Sequence, residues 1–218
     1  SELAFEVNAH AVYSLAIACK NAKIPIFHIS SDYVFDGKKD GCYHEADVVN
    51  PISVYGKSKE AGERAIREII AEHIILRTSW VFSEEGKNFP KTVLRLGSER
   101  DELGVVSNQH GGPTSATGVA STLLKIATKV DPVWGTYHFS GTPYVSWHEY
   151  ANEVLSVALE AGKINQMPQL NKISASEYLS NVERPANSKL SNLKILKTFD
   201  IDADDWRSEI KLLVSQSI

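Results

Sequence analysis

Tyr55 and Lys59 stand four residues apart in Val54-Tyr55-Gly56-Lys57-Ser58-Lys59, a stretch that reads as helix. Positions i and i+4 of a helix share a face, so the phenol and the ammonium are expected side by side. A cation close to a phenol favours the phenolate and lowers its pKa. That would make Tyr55 a proton donor or acceptor near neutral pH. Upstream lies Ile29-Ser30-Ser31-Asp32-Tyr33-Val34-Phe35-Asp36-Gly37. A hydroxyl at Ser31, placed where a strand ends, could hold a substrate oxygen beside the phenol. On spacing alone, a surface Tyr and Lys one turn apart is the simpler reading, because chance produces Tyr-x-x-x-Lys often.

The elements that must position these groups follow from hydrophobic periodicity. A helix is expected from residue 1 to about 22, then a buried strand over Ile24–Ile29, with Pro25 tolerable only at its beginning. A polar loop spans 31–50. A helix follows over Ile52–Ala71, then a strand over His73–Thr78 and a loop from Trp80 to Lys87. Next come a helix over Phe89–Arg100, a strand near Leu103–Val106, a loop over Ser107–Thr114 and a helix over Ser115–Lys129. Gly135–Ser140 alternates like a strand. Ser146–Ala161 reads as a helix with Ser146 as N-cap and Glu149 at the capping-box position. A polar connector, a short helix near Ser188–Lys197 and a helix near Asp204–Gln216 complete the chain. Alternating strands and helices in the first half imply an α/β fold with a parallel sheet.

Composition narrows the function classes. The 218 residues are 43% hydrophobic and 23% charged, ordinary for a globular protein. A net charge of −4, with scattered Lys and Arg, offers no footprint for nucleic acid. No apolar run approaches the length of a membrane span. Cys19 and Cys42, the only cysteines, suggest a reducing compartment and a cytoplasmic protein. Gly56-Lys57-Ser58 imitates the end of a phosphate loop, but Pro51 stands where the first Gly should be. No Gly-x-Ser-x-Gly elbow is present. The seven histidines show no zinc spacing.

Five segments in one order carry a resemblance over nearly the whole chain: Ser31–Gly37, Asn50-Pro51 with Tyr55–Lys59, Arg77-Thr78-Ser79-Trp80, Asn108–Thr114, and Arg184–Ser188. They resemble the extended short-chain dehydrogenase/reductase superfamily, and within it the dTDP-4-dehydrorhamnose reductases. The resemblance implies a Rossmann-like doubly wound parallel sheet with a smaller, mostly helical C-terminal substrate region. Residues 1–130 would be the remainder of the dinucleotide-binding domain, lending some segments to the substrate cleft. Residues 131–218 would mainly bind substrate. The implied reaction is reduction of the 4-keto group of dTDP-4-dehydro-L-rhamnose to dTDP-L-rhamnose by NADPH or NADH. Tyr55 would protonate the carbonyl oxygen, Lys59 would bind the nicotinamide ribose and tune Tyr55, and Ser31 would hydrogen-bond the carbonyl. Asp32, Trp80, Asn88, Gln109 and Arg184 would contact the nucleotide sugar. Lys91 or Arg95 could meet a diphosphate. Some relatives hold a metal between subunits through glutamates, but Thr114–Gly118 offers no carboxylate there, so no metal is carried over. A homodimer is compatible with the resemblance.

Two further expectations concern the same residues. The Ile29–Gly37 segment also resembles the regulatory beta subunit of methionine adenosyltransferase, a nucleotide-binding protein without catalysis. Thr78-Ser79-Trp80 and Asn108–Thr114 favour the reductase. Members of the reductase family open with a strand, a Gly-rich turn and a helix that cradle the cofactor pyrophosphate. No G-x-G-x-x-G occurs here, so this N-terminal cofactor half, about 60–80 residues at two βαβ units, is expected to be missing. Residues 1–218 alone are then expected to lack reductase turnover.

Overall fold

The computed structural model describes residues 2–178 and 183–216. The first helix, α1, is α-helical over Glu2–Phe5, takes π geometry over Glu6–His10 and is α-helical again over Ala11–Ala22. Its backbone closes on the next helix, since a Cβ at Gly62 would lie 2.1 Å from the Asn8 carbonyl oxygen. The Ile24 N–H bonds back to the Cys19 carbonyl and closes α1. Strand β1 therefore covers Ile26–Ser31, two residues later than the apolar run suggests. It extends through Ser30 and Ser31 because both pair with the next strand.

Helix α2 runs over Val54–Ile69 and leads into β2, His73–Thr78. After β3 (Val81–Phe82) come α3 (Phe89–Glu99), β4 (Glu102–Val106), β5 (His110–Gly111), β6 (Thr114–Ser115) and α4 (Ala116–Ala127). Then follow β7 (Gly135–His138), β8 (Val145–Ser146), α5 (Trp147–Glu160), β9 (Gln169–Ile173), β10 (Asn187–Ser188), α6 (Leu193–Phe199) and α7 (Trp206–Gln216). The capping box of α5 forms as its residues predict, with Ser146 and Glu149 bonding each other's backbone.

Strands β1, β2 and β7 form a parallel sheet in that order, with Ser31 opposite Thr78. Val12 and Ala16 of α1 and Ile66 of α2 pack with Ile26 and Ile75. Val119 and Ile126 of α4 and Ile195 and Phe199 of α6 pack with Ile74, Leu76 and Tyr137. Both faces of the sheet are thus covered by helices, which is why β2 is buried along its whole length.

A second core joins α3, β4, α5 and α7 around Val93, Leu103, Tyr150, Leu155, Trp206 and Leu213. The chain crosses the boundary read near residue 130 in both directions. Phe89–Glu99 belongs to this second core, while Gly135–His138 returns to the main sheet. Two local readings are corrected. The expected polar connector contains β9, parallel to β4 with Glu102 opposite Gln169. β9 has no fully buried residue and alternates only weakly, so its partner rather than its own pattern makes it a strand. Ser188, expected to open a helix, instead joins Asn187 in β10 against β5, and α6 starts at Leu193. The Asn187 side chain donates to the Lys39 and Gly41 carbonyls, both at 2.7 Å, which holds that segment extended.

Cys19 and Cys42 are both free thiols, each partly exposed. Among the described residues no helix is long and apolar enough to cross a membrane.

Candidate active site

Ser31 is the last residue of β1, and its hydroxyl faces two ways. The oxygen accepts the Tyr33 N–H at 3.1 Å, which caps a short 3-10 turn over Asp32–Val34. The hydroxyl donates to Asp32 Oδ1 at 3.0 Å. Ser53 caps α2 by accepting the Gly56 N–H at 3.0 Å. A Cβ at position 56 would lie 2.1 Å from the Tyr33 carbonyl oxygen, so only glycine lets the first turn of α2 press onto the 3-10 turn. That approach puts the Tyr55 ring edge-on to Tyr33, with centroids 5.6 Å apart. A cavity of about 400 Å³ opens here, at the carboxyl ends of β1 and β2. Ser31, Asp32, Tyr55, Lys59, Trp80 and Arg184 all line it. In open α/β sheets ligands bind at this end of the strands.

Burial pushes the Tyr55 phenol above its ordinary pKa, and the Asp32 carboxylate adds to the rise; a hydrogen bond with Ser31 pulls the other way. The expected effect of Lys59 on the phenol is corrected. Lys59 is buried, and its ammonium donates to the Ile29 carbonyl at 2.6 Å, with His28 Nε2 at 3.4 Å. A buried cation requires acceptors, and the strand beneath α2 supplies them. Burial lowers the Lys59 pKa, opposed by Glu63 one turn on. The same burial and the Lys59 charge bring His28 down to about 4. Tyr55 therefore holds its proton at neutral pH and suits the role of donor.

Asp32 is buried, and burial raises its pKa to about 6 against the hydrogen bonds of Ser188 and Ser31. Its Oδ2 has no partner of ordinary hydrogen-bond geometry. A folded pKa above the ordinary 3.8 means stability falls as pH rises from about 4 through 6. Asp32→Asn is accordingly expected to raise the melting temperature at pH 8 and to change it little at pH 4. Equal shifts at both pH values would show that Asp32 is not the titrating group.

A second, apolar cavity of about 410 Å³ adjoins the first, bounded by Phe89, Leu103, Val105 and Tyr150. Trp80, Val81, Trp147 and Arg184 line both. Gln109 lines the second cavity and donates weakly to the Arg184 carbonyl at 3.5 Å. Asn88 lines neither. Its side chain caps α3 by accepting the Lys91 N–H at 3.1 Å and donates to the Ser83 carbonyl at 2.6 Å. Lys91 and Arg95 line a separate groove, where Arg95 pairs with Glu99. The residues missed from sequence are Tyr33 and Trp147, both lining the first cavity. Tyr33 stood inside a segment already singled out, and Trp147 follows the Ser146 cap. Neither carries a spacing signal of its own.

Behind the site, Glu63 is fully buried and accepts Arg77 Nε at 2.8 Å, Arg77 Nη2 at 2.6 Å and Arg67 Nη1 at 2.8 Å. These cations outweigh burial and hold its pKa down at about 2. The pair ties α2, which carries Tyr55 and Lys59, to β2.

The donor set suits one end of a nicotinamide dinucleotide. Tyr55 and Lys59 present a hydroxyl and an ammonium of the kind that hold ribose hydroxyls, beside the buried, unpartnered Thr78 Oγ1. The sequence contains no G-x-G-x-x-G turn for the pyrophosphate. Among the described residues, no group of three or more His, Cys, Asp or Glu side chains could hold a metal ion.

Comparison with known proteins places these features in a family. The family described as RmlD substrate binding domain matches residues 1–218. The chain is 44% identical over 212 residues to dTDP-4-dehydrorhamnose reductase of Aggregatibacter actinomycetemcomitans, covering 95% of this chain and 72% of that protein. It is 37% identical to the protein of that name from Salmonella typhimurium, covering 99% and 73%. Among solved structures, dTDP-4-dehydrorhamnose reductase from Bacillus anthracis in complex with NADP superposes with a TM-score of 0.88. The two are 32% identical, over 99% of this chain and 74% of that one.

Proposed function

Because this chain belongs to the RmlD substrate-binding family, that of the dTDP-4-dehydrorhamnose reductases, we propose that its site reduces the 4-keto group of dTDP-4-dehydro-L-rhamnose to give dTDP-L-rhamnose. The observation that supports this reading is the meeting of Ser31, Tyr55 and Trp80 in one cavity that opens onto a second, apolar one. A nucleotide-linked sugar needs two such compartments with a cation where they join, and Arg184 lines both. When bound, NADPH or NADH supplies the hydride to sugar C4.

This chain's own groups do the rest. Tyr55 gives its proton to the 4-oxygen, and the Ser31 hydroxyl turns its one hydrogen from Asp32 Oδ1 to the same oxygen. Stabilising charge that develops only in the transition state is what raises the rate. Lys59 holds the nicotinamide ribose with a hydrogen that the Ile29 carbonyl does not use. Asp32 accepts hydrogen bonds from sugar hydroxyls, Trp80 packs against the ring, and Gln109 braces the loop of the nucleotide cavity. Asn88 acts through its cap, by fixing the start of α3. A cytoplasmic location and a homodimer complete the reading, and light scattering would read the assembly.

The test is oxidation of NADPH by the full-length protein with dTDP-4-dehydro-L-rhamnose. Ser31→Ala is expected to cost roughly 10²-fold in kcat, the scale of one lost donor to a developing oxyanion. A kcat unchanged by Ser31→Ala would remove Ser31 from that role. Turnover absent from wild-type protein that also fails to bind dTDP would remove the reading as a whole.

A further inference from the structure

Trp80 has a backbone φ of +48°, in the left-handed region that side-chain-bearing residues seldom adopt. Such a conformation persists only where its surroundings over-determine it. Two contacts do so here. The Trp147 indole lies face to face with the Trp80 indole, at 3.5 Å between centroids and 11° between planes. On the β5 side, a Cβ at Gly111 would lie 2.6 Å from Trp80 Cε2. The Trp80 ring thus sits between a stacked indole and a bare backbone.

Trp147 is itself fixed. It is the first residue of α5, directly after the Ser146 cap. The Phe89 ring packs against it at 4.6 Å. Both indoles line both cavities, so the stacked pair stands where the two meet.

We propose that Trp147 is a positioning residue for Trp80: with Gly111 it sets the plane of the indole against which the sugar ring packs. The inference rests on the functional reading above, since it supposes that the sugar occupies the Ser31–Tyr55 cavity and the nucleoside the other. It assigns to Trp147 a task distinct from lining the nucleotide cavity. The sugar's share of binding depends on Trp147, and does so only through Trp80.

The experiment compares the affinities of dTDP and dTDP-L-rhamnose by calorimetry, because their ratio isolates the sugar's share. Trp147→Leu is expected to reduce that ratio roughly 3- to 10-fold, the scale of one aromatic pair, and Trp147→Phe to restore most of it. In a Trp80→Ala background, Trp147→Leu should leave the ratio unchanged, because residues acting through one another are not additive. Near-ultraviolet circular dichroism supplies an independent readout. The signal of the stacked indoles should disappear in Trp147→Leu and change in Gly111→Ala, where the added methyl displaces Trp80. Gly111→Ala should reduce the affinity ratio too, although Gly111 lines neither cavity.

An equal loss of affinity for both ligands in Trp147→Leu would overturn the inference, leaving Trp147 as a wall of the nucleotide cavity. So would additive effects of the Trp80 and Trp147 substitutions. Wild-type protein that binds the two ligands with equal affinity would instead overturn the functional reading, and this inference with it.

Discussion

Tyr55→Phe is expected to lower kcat roughly 10²- to 10⁴-fold, the usual worth of a positioned proton donor, while dTDP affinity stays within about twofold. The phenol lines the cavity, holds its proton at neutral pH and shares a hydrogen bond with Ser31. Burial and Asp32 both keep that proton in place. Phe preserves the ring that meets Tyr33 edge-on at 5.6 Å, so packing survives and only the proton is lost. The measurement is steady-state NADPH oxidation with dTDP-4-dehydro-L-rhamnose, paired with calorimetry for dTDP. A kcat within a few-fold of wild type would remove Tyr55 from the donor role. Parallel losses in kcat and dTDP affinity would instead point to a damaged fold.

Glu63→Ala is expected to destabilise the protein by about 3–5 kcal/mol, because breaking a buried ion pair leaves its partner charged and unpaired. For a chain of this size, that lowers the melting temperature by about 6–20 °C. Arg77 is the stranded partner, being 3% exposed. Its remaining contacts are the Phe35 ring at 5.0 Å and His138 Nε2 at 3.5 Å. His138 is held neutral by burial and by Arg77 itself, with a pKa of about 3. Glu63 has its pKa depressed from 4.5 to about 2, so its contribution is fully present above pH 4.5 and fades as pH falls toward 2. Wild type and variant should therefore differ most near neutral pH and converge in strong acid. A difference that persists unchanged to pH 2 would mean that packing, rather than the ion pair, is lost. Because Glu63 also steadies α2 beneath Tyr55, turnover should fall with stability and recover in part at lower temperature.

Much of the frame was legible in the sequence because it rests on local signals. His73–Thr78 is a short apolar run that becomes the central strand, with the bounds its composition predicts. The Ser146–Glu149 box starts α5 where the residues indicate. Ser31, Tyr55 and Trp80 were legible as a set because each lies within two residues of an element's end at the same edge of the sheet. The direction of Lys59 was not. Spacing places its Cα one turn from Tyr55, but the acceptors that claim its ammonium belong to β1, some 30 residues away in sequence. Asn88 looked like a nucleotide ligand because it precedes a helix, and that same position makes it a cap. β9 escaped notice because its apolar residues are sparse and its partner, β4, is distant in the chain. The Trp80–Trp147 stack unites two residues with no shared pattern at all.

A crystal structure with bound dTDP-L-rhamnose tests the central claim most directly. The account predicts the nucleoside in the apolar cavity beside Phe89 and Tyr150 and the diphosphate at Arg184. The sugar 4-hydroxyl should lie about 3 Å from both Tyr55 Oη and Ser31 Oγ, the reach of a proton transfer. A sugar whose 4-hydroxyl points away from Tyr55 and Ser31, with the nucleoside outside the apolar cavity, would contradict it.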